Sequence, residues 1–220
     1  MRKRIHAWAL AHSHFRWQKV MSIKRYAATM SVLTLGAGAA FAQPTELALG
    51  SAMPLEGYLL EHVTGGKVTV EALAGTAGVV FIFWSNNCQW CNGYEDRVRT
   101  LHAQASAGDV AVVLVNANDP DAFPQEAATA SAEQGHPMAY VQDSGSRFAQ
   151  ALGAYRTPHV FVFDQDRTLV YTGAIDDGPG DPDNVETAYL AEIIASLVRG
   201  ENPSIPPTRA FGCRIKFAPG

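Results

Sequence analysis

The strongest constraint on this chain comes from two cysteines that lie shortly after an apolar run. The run 79–83 contains only Val, Phe and Ile, which is typical of a buried strand. Turn-forming Ser and Asn residues separate it from Cys88 and Cys91. Beyond the cysteines, apolar side chains recur at helical spacing, at Tyr94, Val98, Leu101 and Ala105. The sequence therefore predicts two cysteines at the junction between a strand and a helix.

This junction favours thiol chemistry. The first turn of a helix has free backbone N–H groups and the positive end of the helix dipole, and both stabilise a thiolate. We therefore expect the pKa of Cys88 to lie below that of a free cysteine. Cys91 lies one turn further along, so the pair can close into a small disulfide and reopen by exchange. The motif predicts a redox-active dithiol.

The N-terminal segment has a different composition from the rest of the chain. Residues 1–42 hold seven basic residues and no acidic one, and an apolar run at 31–40 leads to a small-residue site that predicts cleavage after Ala42. Met21 would begin a signal of normal length and is an alternative start. An uncleaved membrane anchor is the other interpretation, although the run is short and glycine-rich for a span. We expect a signal peptide at 1–42, export across the inner membrane to the periplasm, and one domain at 43–220.

The predicted mature domain is acidic. Of 17 basic residues in the chain, 10 lie in 43–220 together with all 21 acidic residues, which gives a net charge of −11. A domain with that charge is a poor nucleic-acid binder. The three cysteines leave one over after any single disulfide.

The remaining elements alternate between strands and helices. The pattern predicts strands at 67–73, 109–115 and 138–141, helices at 91–106, 122–134 and 185–198, a short helix that ends at 151, a hairpin at 159–172, a short edge element within 55–63 and an irregular tail from about 201. Alternating βα units imply a parallel part of a sheet with helices on both faces, and the hairpin adds antiparallel strands. The expected class is α/β, with active groups at the carboxyl edge of a central strand.

Three features together resemble the thioredoxin superfamily. They are the strand that ends at Phe83-Trp84, the Cys88-x-x-Cys91 motif at a helix start, and Thr157-Pro158 before the hairpin. The resemblance implies a thioredoxin-like fold with a central mixed sheet flanked by helices on both faces. It also implies a cis proline at 158 that faces the dithiol, with the backbone of Thr157 free to pair with a bound thiol substrate.

A closer resemblance is to the AhpC/TSA-type redoxins, within a peroxiredoxin-like branch of exported proteins. It rests on Tyr94-Glu95-Asp96-Arg97, Asn116-Ala117-Asn118-Asp119, Thr157-Pro158, the segment 171–177 and the tail Gly212-Cys213-Arg214-Ile215-Lys216. It covers roughly 47–217. Members of that branch commonly have a single cysteine followed by proline after the strand. The second cysteine here moves the chain toward dithiol thioredoxins and TlpA-like reductases.

The residues and the resemblance leave three functions to weigh. The first is an exported thiol–disulfide oxidoreductase in which Cys88 is the nucleophile, Cys91 resolves the mixed disulfide and Pro158 shapes the site. The second is a thiol peroxidase that uses Cys88. Peroxiredoxins place a proline seven residues before the reactive cysteine and a Thr or Ser three residues before it, and only Ser85 matches. The third is a redox-silent binding domain with a structural disulfide.

The first function implies protein thiols or disulfides as substrates. This function also implies a partner protein that supplies or accepts electrons. A membrane-associated electron donor is one candidate for that partner. No dissociable cofactor is implied. Zinc would need two more ligands beside the CxxC pair, and the other candidates, Cys213, His102, His136 and His159, are scattered singly along the chain.

Several residues are candidates for supporting roles. Thioredoxins carry a buried Asp at the position that Ile82 occupies here, so Glu95 is the nearest candidate in sequence for a proton carrier. Its alternative role is an exposed ion pair with Arg99 at i+4. Trp84 is expected to pack beside the dithiol. Cys213 is either a third redox thiol or an inert buried one.

His159 and Trp90 complete the set of candidates around the motif. His159 follows Pro158, so it either lies near the dithiol or packs beside the sheet as an ordinary strand residue. Trp90 lies between the two cysteines and offers either an exposed apolar docking surface or a side chain partly buried against a neighbouring loop.

Overall fold

The fold is built on a mixed β-sheet that is covered on both faces. A computed structural model describes residues 45–218, so the predicted signal peptide at 1–42 lies outside the described residues. The strands are β1 Leu59–His62, β2 Lys67–Thr69, β3 Gly78–Phe83, β4 Val110–Asn116, β5 Ala139–Gln142, β6 Arg156–Thr157, β7 His159–Asp164, β8 Leu169–Gly173 and β9 Cys213–Arg214. The helices are α1 Gln89–Ser106, α2 Ala128–Ala132, α3 Arg147–Leu152 and α4 Tyr189–Val198.

The order of the strands confirms the mixed sheet. The seven-stranded sheet runs β2-β1-β5-β4-β3-β7-β8. The central strands β3, β4 and β5 pair in parallel, whereas β7 and β8 add an antiparallel hairpin to one side. On the other side β1 and β2 pair antiparallel, which places β1 inside the sheet rather than at the edge predicted for 55–63. Strand β3 is thus central, and its carboxyl end leads to the cysteines.

Alternating side chains of β3 divide the core into two layers. Val80 and Ile82 face the layer that holds α1 and α4, and Phe81 and Phe83 face the layer that holds α3. All of β3 is buried, as the uninterrupted apolar run predicted. Helix α1 buries the face that its spacing indicated, at Cys91, Tyr94, Val98, Leu101 and Ala105. Both cysteines of the motif belong to the layer with α1.

The predicted helix at 122–134 was wrong. A 3₁₀ turn, Pro124–Glu126, comes first, and α2 begins only at Ala128. Pro124 has no N–H to donate and disfavours helical geometry at Phe123, which has φ −131° and ψ 79°. Ala127 is extended and separates the two short helices. This break places Glu126 in a turn instead of on the side of a helix.

Three other boundaries also differ from the prediction. The strand at 67–73 ends at Thr69 and continues as a 3₁₀ turn, Glu71–Leu73. The last helix begins at Tyr189 instead of 185, because Pro182–Asn184 forms its own 3₁₀ turn, in which the side chain of Asp181 accepts a hydrogen bond from the N–H of Asp183. The tail from 201 is not wholly irregular, because β9 pairs antiparallel with β6. None of the helices between residues 45 and 218 is long and apolar enough to cross a membrane.

Candidate active site

Cys88 occupies the position at which α1 begins. The loop 84–87 leaves the carboxyl end of β3, and Cys88 is the N-cap residue of α1, with extended backbone geometry. Its carbonyl accepts the hydrogen bond from the N–H of Asn92. The side chain is 1% exposed, and Cys91, one turn along, is completely buried. The predicted junction between strand and helix is therefore present, with both sulfurs on its inner side.

The surroundings favour a thiolate at Cys88. Its pKa is lowered to about 4, chiefly because the Cys91 thiol hydrogen-bonds to its sulfur, and burial opposes this shift. The Cys213 thiol and the backbone N–H of Cys91 lower it further. For Cys91 the direction is opposite: complete burial, followed by the neighbouring Cys88, raises its pKa well above the ordinary value. At neutral pH this arrangement provides one ionised sulfur and one protonated sulfur.

The peptide bond between Thr157 and Pro158 is cis, which confirms the expectation drawn from the resemblance. The Sγ atom of Cys88 lies 3.1 Å from the carbonyl oxygen of Thr157, so this segment does face the reactive sulfur. The expectation that the backbone of Thr157 would be free was wrong. In β6, Thr157 pairs with Cys213 of β9. Gly212 permits this approach, because a Cβ atom there would overlap the carbonyl oxygen of Thr157.

The β9 pairing brings the third cysteine to the site. The Sγ atom of Cys213 lies 2.8 Å from the Sγ atom of Cys88, although 125 residues separate them in the chain. All three cysteines are free thiols in the structure. Partial burial and the neighbouring Cys88 raise the pKa of Cys213 to about 11, whereas the charges of Lys216 and Arg156 act to lower it. Cys88 therefore has a thiol neighbour on the helix and another on the tail.

A buried carboxylate that the sequence analysis missed supports the loop before Cys88. Glu126 is 1% exposed, and its oxygens accept hydrogen bonds from the Ser85 hydroxyl at 2.8 Å and from the backbone N–H groups of Asn86 and Asn87 at 3.0 and 3.2 Å. The Nδ2 atom of Asn116 donates another at 2.9 Å. The signal that could have found it was Pro124, which ends any helix predicted across this segment.

Glu95 does not take part in this network. Its carboxylate is one-third exposed and accepts a hydrogen bond from Nη2 of Arg99 at 2.6 Å. The ion pair at i+4, named above as the alternative to a proton-carrying role, is the arrangement observed. Nδ1 of His136 lies 3.9 Å from the same carboxylate. Ile82, at the position of the thioredoxin Asp, is fully buried in the same core layer as the dithiol.

The aromatic residues next to the motif have different environments. Trp84 is buried in the core layer of the two cysteines and packs edge-to-face with His136. Trp90 is half-buried and packs edge-to-face against Phe211 of the tail, with ring centroids 4.7 Å apart. Phe211 remains 49% exposed. The two side chains form a partly exposed apolar surface beside the site.

His159 belongs to the other face of the sheet. It is buried against Phe161 and Tyr155, and Nε2 lies 3.1 Å from the Thr172 hydroxyl. Burial lowers its pKa to about 3, which keeps the ring neutral. Of the two roles considered for His159, the structure therefore shows a strand residue packed beside the sheet and not one near the dithiol. Between residues 45 and 218, no group of three His, Cys, Asp or Glu side chains is arranged to hold a metal ion.

Fold and site together define a thioredoxin-like α/β protein with a CxxC motif at the start of a helix. The profile of the redoxin family matches residues 48–189, which is more than half of the chain, and the chain belongs to that family. Membership supports a redox function in general terms. No curated protein with a similar sequence was found.

Solved structures give the same assignment of the fold. A hypothetical protein from Sinorhizobium meliloti 1021 matches with a TM-score of 0.72 and 27% identity, over 80% of this chain and 98% of that one. An uncharacterized conserved protein from Geobacillus kaustophilus matches with a TM-score of 0.70 and 26% identity, over 79% and 94%. An uncharacterized thioredoxin-like protein from Porphyromonas gingivalis, at 0.51 and 20%, over 68% and 94%, shows the fold alone.

Proposed function

We propose that this redoxin is an exported thiol–disulfide oxidoreductase that exchanges disulfides with protein partners through Cys88 and Cys91. One observation carries the proposal. Cys88 lies at the N-terminus of α1 with its pKa lowered to about 4, and a second, protonated thiol lies one turn along the same helix. An ionised cysteine next to a resolving thiol is the arrangement that disulfide exchange requires.

The reaction divides between the two sulfurs. The Cys88 thiolate attacks one sulfur of a substrate disulfide, so that a mixed disulfide forms and the other substrate sulfur leaves as a thiolate. Cys91 then gives up its proton and attacks the Cys88 sulfur, which releases the second substrate thiol and closes the Cys88–Cys91 disulfide. The substrate gains two electrons and the dithiol loses two. A partner protein with a dithiol restores the reduced state.

The pKa of Cys88 also supports a preference for the reduced state. A thiolate stabilised at neutral pH favours the dithiol over the disulfide, which makes the disulfide form a better oxidant. We therefore propose a reduction potential above the value of about −270 mV that is typical of thioredoxin. Equilibration of the purified protein with glutathione buffers measures this quantity. A value at or below that of thioredoxin would contradict this preference for the dithiol and would favour the reductive direction written above.

Export and protein partners complete the proposal. The composition of 1–42 supports a cleaved signal and a periplasmic location, and N-terminal sequencing of the mature protein checks the cut after Ala42. The surface of Trp90 and Phe211 beside the site offers apolar area to a polypeptide substrate. The electron partner is proposed to be another protein, and a membrane-associated donor fits the location.

Insulin reduction with dithiothreitol as the donor tests the proposal. The protein is expected to accelerate precipitation of the insulin B chain, and Cys88→Ser is expected to reduce the rate to that of dithiothreitol alone. Circular dichroism of the variant checks that it remains folded. If the unchanged protein has no activity, or if Cys88→Ser retains it, the proposal fails.

Peroxide consumption by the reduced protein tests the peroxidase alternative. The Ser85 hydroxyl, which matches one peroxiredoxin position, donates to Glu126 and not to Cys88. We therefore expect peroxide to be consumed no faster than by an ordinary thiol of similar pKa. Rapid, saturable consumption that is lost in Cys88→Ser would favour the peroxidase.

A further inference from the structure

Cys213 forms no bond in the exchange described above, although its thiol lies against the Cys88 sulfur. Their sulfurs are 2.8 Å apart, and formation of a bond of about 2.05 Å needs a movement of less than 1 Å. The two residues are 125 positions apart in the chain, and they meet where the tail pairs with β6. The contact places a third sulfur next to the one that reacts.

Hydrogen bonds on both sides of Cys213 hold the tail in this position. The carbonyl oxygen of Gly212 accepts from Nη1 of Arg156 at 2.6 Å. The N–H of Ile215 donates to the carbonyl oxygen of Tyr155 at 3.1 Å. Ile215 is also buried in the core layer of α3. Cys213 is therefore presented to the site by an anchored strand and not by a loose terminus.

The same strand limits access to Cys88. Cys88 is 1% exposed, and Cys213 of β9 lies directly against its sulfur, so β9 is part of what covers the site. Strand β9 pairs over only two residues, so we expect it to open locally while Ile215 stays packed in the core layer of α3. When β9 closes again, the Cys213 sulfur returns to the position next to Cys88.

We propose that Cys213 is a second resolving thiol, which attacks the mixed disulfide at Cys88 and closes a Cys88–Cys213 disulfide. This rests on the proposed function, because Cys88 must first react with a disulfide. The residue is a catalytic one in this scheme, since its sulfur forms a bond with the reacting sulfur.

The step balances within the reaction already described. A substrate R–S–S–R′ is attacked by the Cys88 thiolate, which gives Cys88–S–S–R and R′–S⁻. The Cys213 sulfur then attacks Cys88, and R–S⁻ leaves and takes up the proton that Cys213 lost. The substrate gains two electrons, and the pair Cys88 and Cys213 loses two. Attack by Cys91 on Cys88 afterwards yields the Cys88–Cys91 disulfide and regenerates the Cys213 thiol without further oxidation.

The surroundings of the two thiols favour attack by Cys213 first. Once Cys88 is part of a mixed disulfide it carries no charge, so it no longer raises the pKa of either neighbour. Burial of Cys213 is only partial, and the charges of Lys216 and Arg156 lower its pKa. Cys91 is completely buried, which keeps its pKa high. The fraction of thiolate is therefore greater at Cys213, and thiolate is the attacking form.

The test follows the mixed disulfide that the reduced protein forms with glutathione disulfide. Samples are quenched in acid at intervals, free thiols are alkylated, and disulfide-linked peptides are identified by mass spectrometry. In Cys91→Ala we expect a Cys88–Cys213 peptide to replace the Cys88–glutathione adduct. This loss is expected to be at least about tenfold faster than in Cys91→Ala/Cys213→Ala, because sulfurs in contact react with a high effective molarity.

A control variant and the unchanged protein separate chemistry from structure. Cys91→Ala/Arg214→Ala alters the exposed neighbour on β9 and keeps the sulfur, so it is expected to behave as Cys91→Ala does. The unchanged protein is expected to show the Cys88–Cys213 peptide at the earliest times, before Cys88–Cys91 dominates. This measurement needs no substitution and holds even if a variant fails to fold.

Two outcomes distinguish failure of this inference from failure of the proposed function. If the adduct lives as long in Cys91→Ala as in the double variant, and the unchanged protein never shows the Cys88–Cys213 peptide, Cys213 has no resolving role. The exchange through Cys91 then stands. If Cys88 forms no adduct in any variant, the proposed function itself is overturned.

Discussion

Glu95 and Glu126 lie in two regions beside the dithiol that accommodate a negative charge in different ways. Glu95, on α1, is one-third exposed and pairs with the guanidinium of Arg99. Glu126, in the 3₁₀ turn after β4, is 1% exposed, and within residues 45–218 it forms no ion pair. Its charge is instead stabilised by neutral donors, among them the Ser85 hydroxyl and the backbone N–H of Asn86. Solvent and the charge of Arg99 stabilise the Glu95 carboxylate, whereas fixed hydrogen-bond donors stabilise the Glu126 carboxylate.

The difference indicates what each carboxylate does for the site. A buried carboxylate is costly unless its lone pairs are satisfied, so removal of Glu126 leaves several donors without an acceptor. Three of those donors belong to the loop that sets the position of Cys88, and another is the Nδ2 atom of Asn116 on β4. An exposed pair contributes little, because solvent replaces most of what is lost. We therefore expect Glu126, which the sequence did not single out, to hold the loop before Cys88 in place.

The largest expected effect is the titration of Cys88, which neither carboxylate should control. The two neighbouring thiols and the N–H of Cys91 lower its pKa to about 4, against an ordinary value of about 8.5. Absorbance at 240 nm of the reduced protein, with Cys88→Ser as the blank, measures thiolate formation between pH 3 and pH 9. We expect the same midpoint in Glu95→Gln. A midpoint near 8 would contradict the assignment of Cys88 as the ionised sulfur.

The same pKa predicts how the stability of the reduced protein depends on pH. Between about pH 4 and pH 8.5 the unfolded chain binds a proton at Cys88 that the folded chain does not. The free energy of unfolding, relative to that of Cys88→Ser, should therefore rise with pH across this window. The advantage is complete above the unfolded pKa and is lost as the pH falls through the folded one. Urea denaturation at several pH values measures it, and a flat difference would contradict the prediction.

The second effect in size is the loss of stability in Glu126→Ala. We expect the free energy of unfolding to fall by about 3–5 kcal/mol, because buried donors from the loop and from Asn116 lose a charged acceptor. Urea denaturation of the reduced protein measures the change. Glu133→Ala, at an exposed position in the same segment, is the control and should stay within about 0.5 kcal/mol. Equal losses in both variants would remove the distinction between buried and exposed carboxylates.

These residues also show what could be predicted from the sequence. Cys88, Cys91 and the buried face of α1 depend on local patterns of three or four residues, and the structure has them as expected. The cis bond before Pro158 followed from the resemblance, and it too is present. The fold class followed from the alternation of elements, since each unit is signalled within its own segment.

Besides the local boundary errors described above, the errors that affect the site concern contacts between distant segments. Glu126 lies 41 residues from Ser85, and Cys213 lies 125 residues from Cys88. The hydrophobic periodicity of one segment gives no information about contacts with a distant segment. For Glu126 the alanine-rich stretch also favoured a single helix, although Pro124 was a local signal against it. For Cys213 the proline-rich tail carried no strand pattern, because β9 has only two residues.

The third effect in size is the loss of stability in Asn116→Ala, which tests whether Asn116 and Glu126 stabilise the fold together. Asn116 is fully buried, and its Nδ2 atom donates to the Glu126 carboxylate at 2.9 Å and to the Glu126 carbonyl at 3.1 Å. We expect Asn116→Ala to cost about 1–2 kcal/mol of the free energy of unfolding, less than Glu126→Ala, since Ser85 and Asn86 still reach the carboxylate. The exposed Asn202→Ala is the control. A double-mutant cycle with Glu126→Gln should give a clear coupling energy, and additive effects would show that the two residues act independently.

The smallest expected effect is that of Glu95→Gln, which tests the comparison from the other side. An exposed i,i+4 pair contributes roughly 0.3–0.5 kcal/mol, so the free energy of unfolding should change by no more than about that amount. The rate of insulin reduction should stay within about twofold, because the carboxylate is paired with Arg99. Arg99→Gln, the other half of the pair, is the control and should have an equally small effect. A large loss of rate in Glu95→Gln alone, without loss of stability, would mean that Glu95 moves a proton during exchange. The role of proton carrier would then belong to the exposed carboxylate, and Glu126 would serve only to hold the loop.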